Sequence, residues 1–512
     1  MKFYITTPIY YVNDIPHIGH SYTTIASDIM ARWKRLNGFD VFFLTGTDEH
    51  GTKIADAAKE RGKTPQELCD EMSAKFREAW KLLNISYTDF IRTTERRHFI
   101  SVGNIFQILF DKKLIFKKKY EELYCVGCER FYARKDLDEN GCCHFHKTKP
   151  VLQSEENYFF KLSAFQNALF ERITNPNHKE YIEIQPEERR NEIIGKLKLG
   201  LEDVSFSRTA VEWGIPLPFD EKQTSYVWVD ALINYLTGAG YTENETNFQK
   251  YWPADMHLMA KDILWFHSVI WPAILMGAGL PLPKKVYSHG FFTLNGNKMS
   301  KSLGNVISPR ELVDKYGVDA ARYLTVTLMP FGPDSDISWQ GLTLKYNTDL
   351  ANSMGNLISR TIKMAEKYFN LHVPQTIPDL ELAKKTAEIL KESFVLDMDN
   401  IRFHKAAEAL QNAITLVNRQ IETDAPWELA KTDLGKLASC IYAYLQAIDI
   451  IVMHLLPFMP TVTEKIWQIT GAGYDINGTA KKYFADAIIP ENGFSIPNAQ
   501  LQSPGILFPR IA

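Results

Sequence analysis

Two histidines frame a glycine at His17-Ile18-Gly19-His20, and two lysines punctuate a polar stretch far downstream at Lys298-Met299-Ser300-Lys301-Ser302. A reaction that builds negative charge on phosphorus needs donors and cations aimed at those oxygens more than it needs an acid or a base. His17 and His20 can supply donors at a helix start, where the helix dipole adds a fixed positive end. Gly19 leaves room for a nucleotide base against the backbone. Lys298 and Lys301 can close on phosphates from a loop, with Asn295-Gly296-Asn297 as its expected hinge. The two motifs read as opposite jaws on a nucleoside triphosphate. Either string alone is a weak signal, because strings this short recur by chance.

A second grouping is Cys125-x-x-Cys128 followed by Cys142-Cys143-His144-Phe145-His146. Four of the six cysteines fall in this one segment, which reads as metal ligation rather than a disulfide framework. The spacing offers a Cys3His site for one structural Zn2+ from Cys125, Cys128, Cys143 and His146. Cys142 or His144 could replace the third or fourth ligand. Such a set leaves no ligand position open for catalysis.

These residues need a scaffold to position them. At 512 residues the chain is too long for one core, and two or three domains are expected. Apolar content of 45% and charged content of 23% are ordinary for a globular protein. A net charge of -3 does not advertise a polyanion partner, so such a partner would need a local basic surface. No uninterrupted apolar stretch is long enough for a membrane span, and the N-terminus reads as a strand rather than a targeting segment. A reducing cytoplasm and no membrane association are expected.

Phe3-Tyr4-Ile5-Thr6 reads as a strand, and Tyr22, Ile25, Ile29, Trp33 and Leu36 recur at helical spacing. Val41-Phe42-Phe43-Leu44 reads as a buried parallel strand ending in a polar loop, Gly46 to Gly51. Strand, helix, strand is the βαβ unit of an open α/β sheet, whose ligands sit at the carboxyl ends of the strands. Trp213-Gly214-Ile215-Pro216 and Tyr226-Val227-Trp228-Val229 mark a return to strand after a mixed, charged stretch. From about Leu342 the texture is helical, as in Ala406 to Val417 and Leu437 to Leu455. The expected organisation is a split, doubly wound sheet domain at 1–111 and 226–341, an insertion at 112–225, an all-α bundle at 342–486 and an irregular tail at 487–512.

The motif pair, in this order and at this separation, resembles the class I aminoacyl-tRNA synthetases. Longer blocks narrow the resemblance to the methionyl-tRNA synthetases of bacteria and organelles. They are Ile5 to Asn13, Thr45-Gly46-Thr47-Asp48-Glu49-His50-Gly51, Tyr226 to Ala231, and Lys261-Asp262-Ile263-Leu264-Trp265-Phe266-His267-Ser268. The resemblance spans nearly the whole chain. It implies activation of methionine by ATP with Mg2+ and transfer to initiator and elongator tRNA-Met. It implies nucleotide contacts from His17, Gly19, His20, His289, Gly290, Lys298, Ser300 and Lys301, of which His17, His20, Lys298 and Lys301 are catalytic. It implies a methionine pocket at Ile9, Tyr11, Asp48, Trp228, Ala231, Leu232, Tyr235, Ile263 and His267. A carboxylate at Asp48 suits the substrate ammonium. Aromatic walls suit a thioether, at about 0.3–1.5 kcal/mol per sulfur–ring contact. Tyr11 and His267 are expected to donate weak hydrogen bonds to sulfur. Leu232 and Ala260 depart from the proline and glycine that many relatives carry, which affects the fine shape of the site.

In the helical region, Asn356 and Arg360 lie four apart on one helix face, and Trp427 follows Pro426 at a helix start. The resemblance implies that these three read the CAU anticodon, whose unstacked bases suit stacking and edge hydrogen bonds. No oligonucleotide-binding barrel follows Ala512, and a monomer is expected. The alternatives are another class I synthetase, such as a cysteinyl or valyl enzyme, an inactive tRNA-binding paralogue, or a small-molecule nucleotidyltransferase. The insertion is too short for a large editing domain, the motifs are intact, and the helical region suits a tRNA.

Overall fold

The computed structural model describes residues 1–125, 127, 130–132, 134–144, 147–209, 211–298, 306–377, 379–472, 475–486, 489–490 and 493–512. Among the described residues, seven parallel strands form the main sheet: β1 (Lys2–Thr6), β2 (Tyr10–Tyr11), β3 (Asp40–Asp48), β4 (Asp89–Arg92), β5 (Glu183–Gln185), β6 (Met256–Ala260) and β7 (Lys285–His289). Their order is β2-β3-β1-β6-β7-β5, with β4 also paired to β3. Strand side chains alternate faces. Phe3, Ile5, Val41 and Phe43 therefore enter one core, while Tyr4, Phe42 and Leu44 enter another. The Ile18–Leu36 helix covers the first face, and Arg96–Asp111, Val227–Ala239 and Trp271–Ala278 cover the second. Burial on both sides is why Val41 to Leu44 is continuously apolar. The strand runs on through Asp48, beyond the expected loop start at Gly46, because β2 and β4 pair with Leu44 to Asp48.

Two differences from the sequence reading have physical causes. Val227 to Val229 opens a helix, Val227–Ala239, rather than a strand. That helix is buried on nearly every side, so its apolar run carries no periodicity that separates it from a buried strand. The stretch 112–225 builds its own antiparallel sheet from Ile115–Cys125, Arg130–Tyr132, Val151–Phe160 and Val204–Ser205. It also contains β5, which pairs with Lys285 to Tyr287 at the edge of the main sheet.

The helical region packs around Leu434–Leu455. That helix is long and apolar enough to cross a membrane by length and composition, yet 89% of its most apolar window is buried inside the protein. Its apolar surface is spent on the bundle core. Among its described residues the tail forms only isolated bridges at Ser495 and Gln500, but Phe494, Leu501 and Phe508 are buried. Asn347 brackets its end, donating to Ile511 O and accepting from Ile511 N–H.

The bundle is joined to the sheet domain through the Ile18–Leu36 helix. Trp33 Nε1 donates to Asp399 Oδ1 at 3.0 Å. The Arg322 guanidinium, fully buried, lies 2.7 Å from Asp28 Oδ2 and donates to the carbonyls of Leu83, Pro457 and Phe458. Burial works to raise the Asp28 carboxyl, but Arg32, Arg322 and Ser86 hold it well below the usual carboxylate range.

Candidate active site

The histidine motif caps its own helix. His17 precedes Ile18–Leu36, and its Nδ1 accepts the Gly19 N–H at 3.1 Å. His20 returns the favour, with Nδ1 accepting the His17 N–H at 3.2 Å. This is a capping box built from two imidazoles. The rings stack with centroids 3.9 Å apart. A neutral imidazole has one N–H, so an accepting Nδ1 puts the proton on Nε2 in both rings. Burial, reinforced by His17, pushes His20 well below its ordinary pKa. The pair is thereby set as uncharged Nε2–H donors at the positive end of a helix.

Gly19 has a structural reason of its own. A Cβ there would lie 2.9 Å from His17 Cε1, so any side chain collides with the cap. The first turn is also tied to the chain that follows the far motif, because Ile18 N–H donates to Ile307 O at 2.8 Å.

The lysine motif starts on a hairpin. Phe292–Leu294 pairs antiparallel with Asn297–Lys298, and Asn295 and Gly296 make the turn at φ 51° and 76°. Positive φ at both positions is the signature of a type I′ turn. Asp336 locks it, accepting from Thr293 Oγ1 at 2.6 Å and Gly296 N–H at 2.7 Å. The expected hinge is therefore a braced turn. Met299, Ser300, Lys301 and Ser302 lie outside the described residues, as does the Lys298 side chain.

At the end of β7, His289 is buried with both ring nitrogens engaged. Its Nδ1–H donates to Gly290 O at 2.7 Å, so Nε2 accepts from Thr23 Oγ1 at 2.7 Å. Burial lowers its pKa to about 4. The ring fastens β7 to the capped helix. A Cβ on Gly290 would meet Asp334 and Pro333 backbone at 2.4–2.5 Å, so glycine is needed for that crossing.

The residues expected to line an amino-acid pocket come from β2 and its approach, the end of β3, the Val227–Ala239 helix and the segment at Ile263 to Ile270. Trp228 stacks on Phe266 at 4.2 Å and meets the Tyr11 ring edge-on at 6.1 Å. The Trp228 indole N–H is buried without a hydrogen-bond partner among the described residues. Ile9, Tyr11, Trp228 and Ile263 are half-buried, and Asp48, Ala231, Leu232, Tyr235 and His267 are buried. His267 sits in a π-helical turn, Phe266–Ile270. Its Nδ1–H donates to Ile263 O at 3.0 Å, so Nε2 accepts the Tyr235 hydroxyl at 2.7 Å. Burial lowers its pKa to about 4. The ring is neutral and its one proton is used, which corrects the expectation that it donates to sulfur.

Several buried polar groups around this pocket escaped the sequence reading. Asp230 accepts from His50 Nδ1 and His98 Nε2. Glu49 accepts from Thr47 Oγ1 and Arg92 Nε, both at 2.7 Å, and its carbonyl accepts the Trp213 indole N–H at 2.6 Å. Arg208 lies 4.1 Å over the Tyr226 ring. The available signal was a charge set among apolar residues, as Asp230 is between Val229 and Ala231.

Of the metal candidates, Cys125 and Cys143 are buried together in one small cluster with Tyr132. Cys142 is partly exposed, with its sulfur toward Asn140 O at 3.9 Å. Cys128 and His146 lie outside the described residues. Asn356, exposed, and Arg360, half-buried, stand on the Asn356–Phe369 helix, and Asn356 lines a surface groove of about 410 Å3 with Phe508 and Arg510. Trp427 is 46% exposed on Pro426–Thr432. Both helices pack on Leu434–Leu455.

Comparison with known proteins bears on this geometry. A family model described as tRNA synthetases class I (M) matches residues 3–142 and 134–362. One described as the anticodon-binding domain of tRNA ligase matches residues 380–502. The chain is 44% identical over 516 residues to the methionine–tRNA ligase of Caldanaerobacter subterraneus subsp. tengcongensis, covering 99% of this chain and 79% of that protein. It is 40% identical over 527 residues to the Streptomyces coelicolor methionine–tRNA ligase, covering 99% and 96%. Mycobacterium tuberculosis methionyl-tRNA synthetase in complex with methionyl-adenylate superposes with a TM-score of 0.93 at 36% identity, covering 100% of both chains. Its apo form gives 0.86 at 33% identity, covering 100% of this chain and 99% of that one.

Gly19→Ala provides a test of the imidazole cap by its sign. Inside an ordinary helix the change stabilises by about 0.5–1 kcal/mol. Here it should destabilise, because displacing His17 forfeits a cap of about 1 kcal/mol. Denaturant unfolding of the two proteins decides, and a more stable alanine variant would show that the ring moves aside without cost.

Proposed function

The chain belongs to the methionyl-tRNA synthetases, and we propose the following roles for its residues in the reaction of that family. The enzyme activates methionine with ATP to methionyl-adenylate and transfers the methionyl group to tRNA. In the first step the methionine carboxylate oxygen bonds to the α-phosphorus, the bond to the bridging oxygen breaks, and pyrophosphate leaves. Negative charge collects on the phosphate oxygens. The Nε2–H groups of His17 and His20 meet that charge from one side, and Lys298 and Lys301 from the other. Being neutral, the histidines stabilise the oxygens without a proton transfer. Mg2+ with the ATP phosphates would neutralise further charge. In the second step a ribose hydroxyl of the tRNA end attacks the adenylate carbonyl and AMP leaves.

The observation that carries this assignment is the imidazole capping box, which fixes both donor tautomers at a helix amino terminus beside the carboxyl ends of β3 and β7. Asp48, at the end of β3, holds the substrate ammonium. The thioether lies against the ring faces of Trp228 and its neighbours, where sulfur–aromatic contact favours methionine over leucine. With the His267 proton used on Ile263 O, that selection rests on ring faces, shape and the Tyr11 hydroxyl.

We assign one structural Zn2+ to the insertion, held by Cys125, Cys128, Cys143 and His146. The pairing of Cys125 with Cys143 in one buried cluster, with Cys142 turned aside, supports that ligand choice. We assign anticodon reading to Asn356, Arg360 and Trp427, supported by their accessibility on helices braced by a common neighbour.

Methionine alone among the twenty amino acids should drive exchange of pyrophosphate into ATP without tRNA; exchange with another amino acid discards the pocket assignment. Trp427→Ala should leave that exchange unchanged and lower tRNA charging by about five- to 150-fold, since loss of base stacking removes about 1–3 kcal/mol. Unaltered charging would remove Trp427 from tRNA reading. Metal analysis of the purified protein should return about one zinc per chain, falling in Cys143→Ser. A metal-free wild type would leave the cysteines as bare thiols.

A further inference from the structure

The Val227–Ala239 helix works on two faces. Trp228, Ala231, Leu232 and Tyr235 recur at i, i+3, i+4 and i+7, the spacing of one helix face, which is the pocket face described above. Asp230 and Thr237 share a different face, two turns apart. Asp230 is fully buried. A lone carboxylate is strongly disfavoured there unless donors meet it.

Two imidazoles meet it. His50 Nδ1 lies 2.7 Å from Asp230 Oδ2, and His98 Nε2 lies 2.6 Å from Oδ1. A carboxylate only accepts, so each ring spends a proton on it. His98 grips the helix a second time, with Nδ1 3.1 Å from Thr237 Oγ1. His50 follows Asp48 by two residues and is wedged between the rings of Phe99 and Trp213, each at 5.6 Å. Burial works against ionisation of Asp230, yet the His50 and His98 contacts bring its pKa down to about 2. Three elements therefore converge on one carboxylate: the loop that carries His50 directly after Asp48 ends β3, the Arg96–Asp111 helix, and the helix that carries Trp228 and Tyr235.

An apolar side chain would pack this site without burying charge. What the carboxylate adds is direction, because two hydrogen bonds of fixed geometry set where the helix stands against the Asp48 loop. We propose that Asp230 is a positioning residue for methionine: gripped by His50 and His98, it fixes the aromatic wall of the pocket relative to Asp48 and so sets how the substrate's side chain and ammonium fit together. The proposal rests on the methionine pocket assigned above. The nucleotide jaws stand on other elements, the Ile18–Leu36 helix and the end of β7. Loosening the clamp should therefore weaken methionine and spare ATP.

Asp230→Asn in the full chain separates these effects. Asparagine keeps the volume, removes the charge, and obliges one imidazole to change tautomer to accept its amide proton. The readout is methionine-dependent pyrophosphate exchange, with wild type measured first. No exchange by wild type would sink the methionine assignment itself and is distinct from failure of the clamp. With wild type active, the variant should show a KM for methionine raised about tenfold or more and a KM for ATP within about twofold of wild type. An unchanged KM for methionine overturns the proposal. So does a fall in kcat with both KM values unchanged, which is what a smaller folded fraction produces. Should Asp230→Asn not fold, Thr237→Val loosens only His98, and a rise in methionine KM of about two- to threefold is expected. No rise there overturns the proposal equally.

Discussion

A buried ion pair between Asp28 and Arg322 holds the reactive end of this enzyme in register with its helical half. Removing two charges from water costs more than their attraction returns unless every remaining donor and acceptor is met. Here they are met. The guanidinium serves Asp28 and four backbone carbonyls, of Leu83, Asn84, Pro457 and Phe458. The carboxylate takes Arg32, the Ser86 N–H and the Ser86 hydroxyl. The pair sits in the middle of the helix whose first turn presents His17 and His20. Trp33, further along the same helix, is held by Asp399 and packs on Phe394 and Phe484. A helix fixed at its centre and far end delivers its amino terminus to one place. The imidazole cap then needs only local geometry to aim the donors.

Legibility in the sequence followed the range of the interaction. Local patterns were read correctly: the strands at Phe3 to Thr6 and Val41 to Leu44, the helix through Trp33, the helix start at Pro426. These depend on period and on capping chemistry within a few residues. The histidine pair was visible as a motif, but its tautomers were not, because they follow from which backbone N–H each Nδ1 accepts. The hairpin turn at Asn295-Gly296 was not legible for a related reason. An Asn-Gly pair is equally a flexible loop and a tight hairpin turn, and Asp336, forty residues on, decides between them.

Buried polar contacts between distant segments left no trace in spacing. His50 and Asp230 are 180 residues apart, and His98 and Asp230 are 132 apart. The helix at Val227 hid its type because it is buried nearly all round. The edge strand Glu183–Gln185 hid because three residues give no alternation to count. In each case the missing information was the identity of a partner brought near by the fold.

The sheet itself divides the labour of the reaction. On one face, a single continuous core runs from the His17 helix through the bundle to Phe508 at the tail. On the other, the methionine-wall helix shares its core with the insertion. The His17 helix and the helical bundle thus belong to one packed body, and the Val227–Ala239 helix and the insertion to the other. They lie back to back on the sheet, and at the carboxyl ends of its central strands Asp48 ends β3 and His289 ends β7. Close packing transmits displacement within a core better than across a sheet whose two faces carry separate cores. A change in the methionine wall can therefore alter substrate fit while the phosphate donors stay in place, whereas a disturbance of Asp28 or Arg322 reaches the donors and the bundle together.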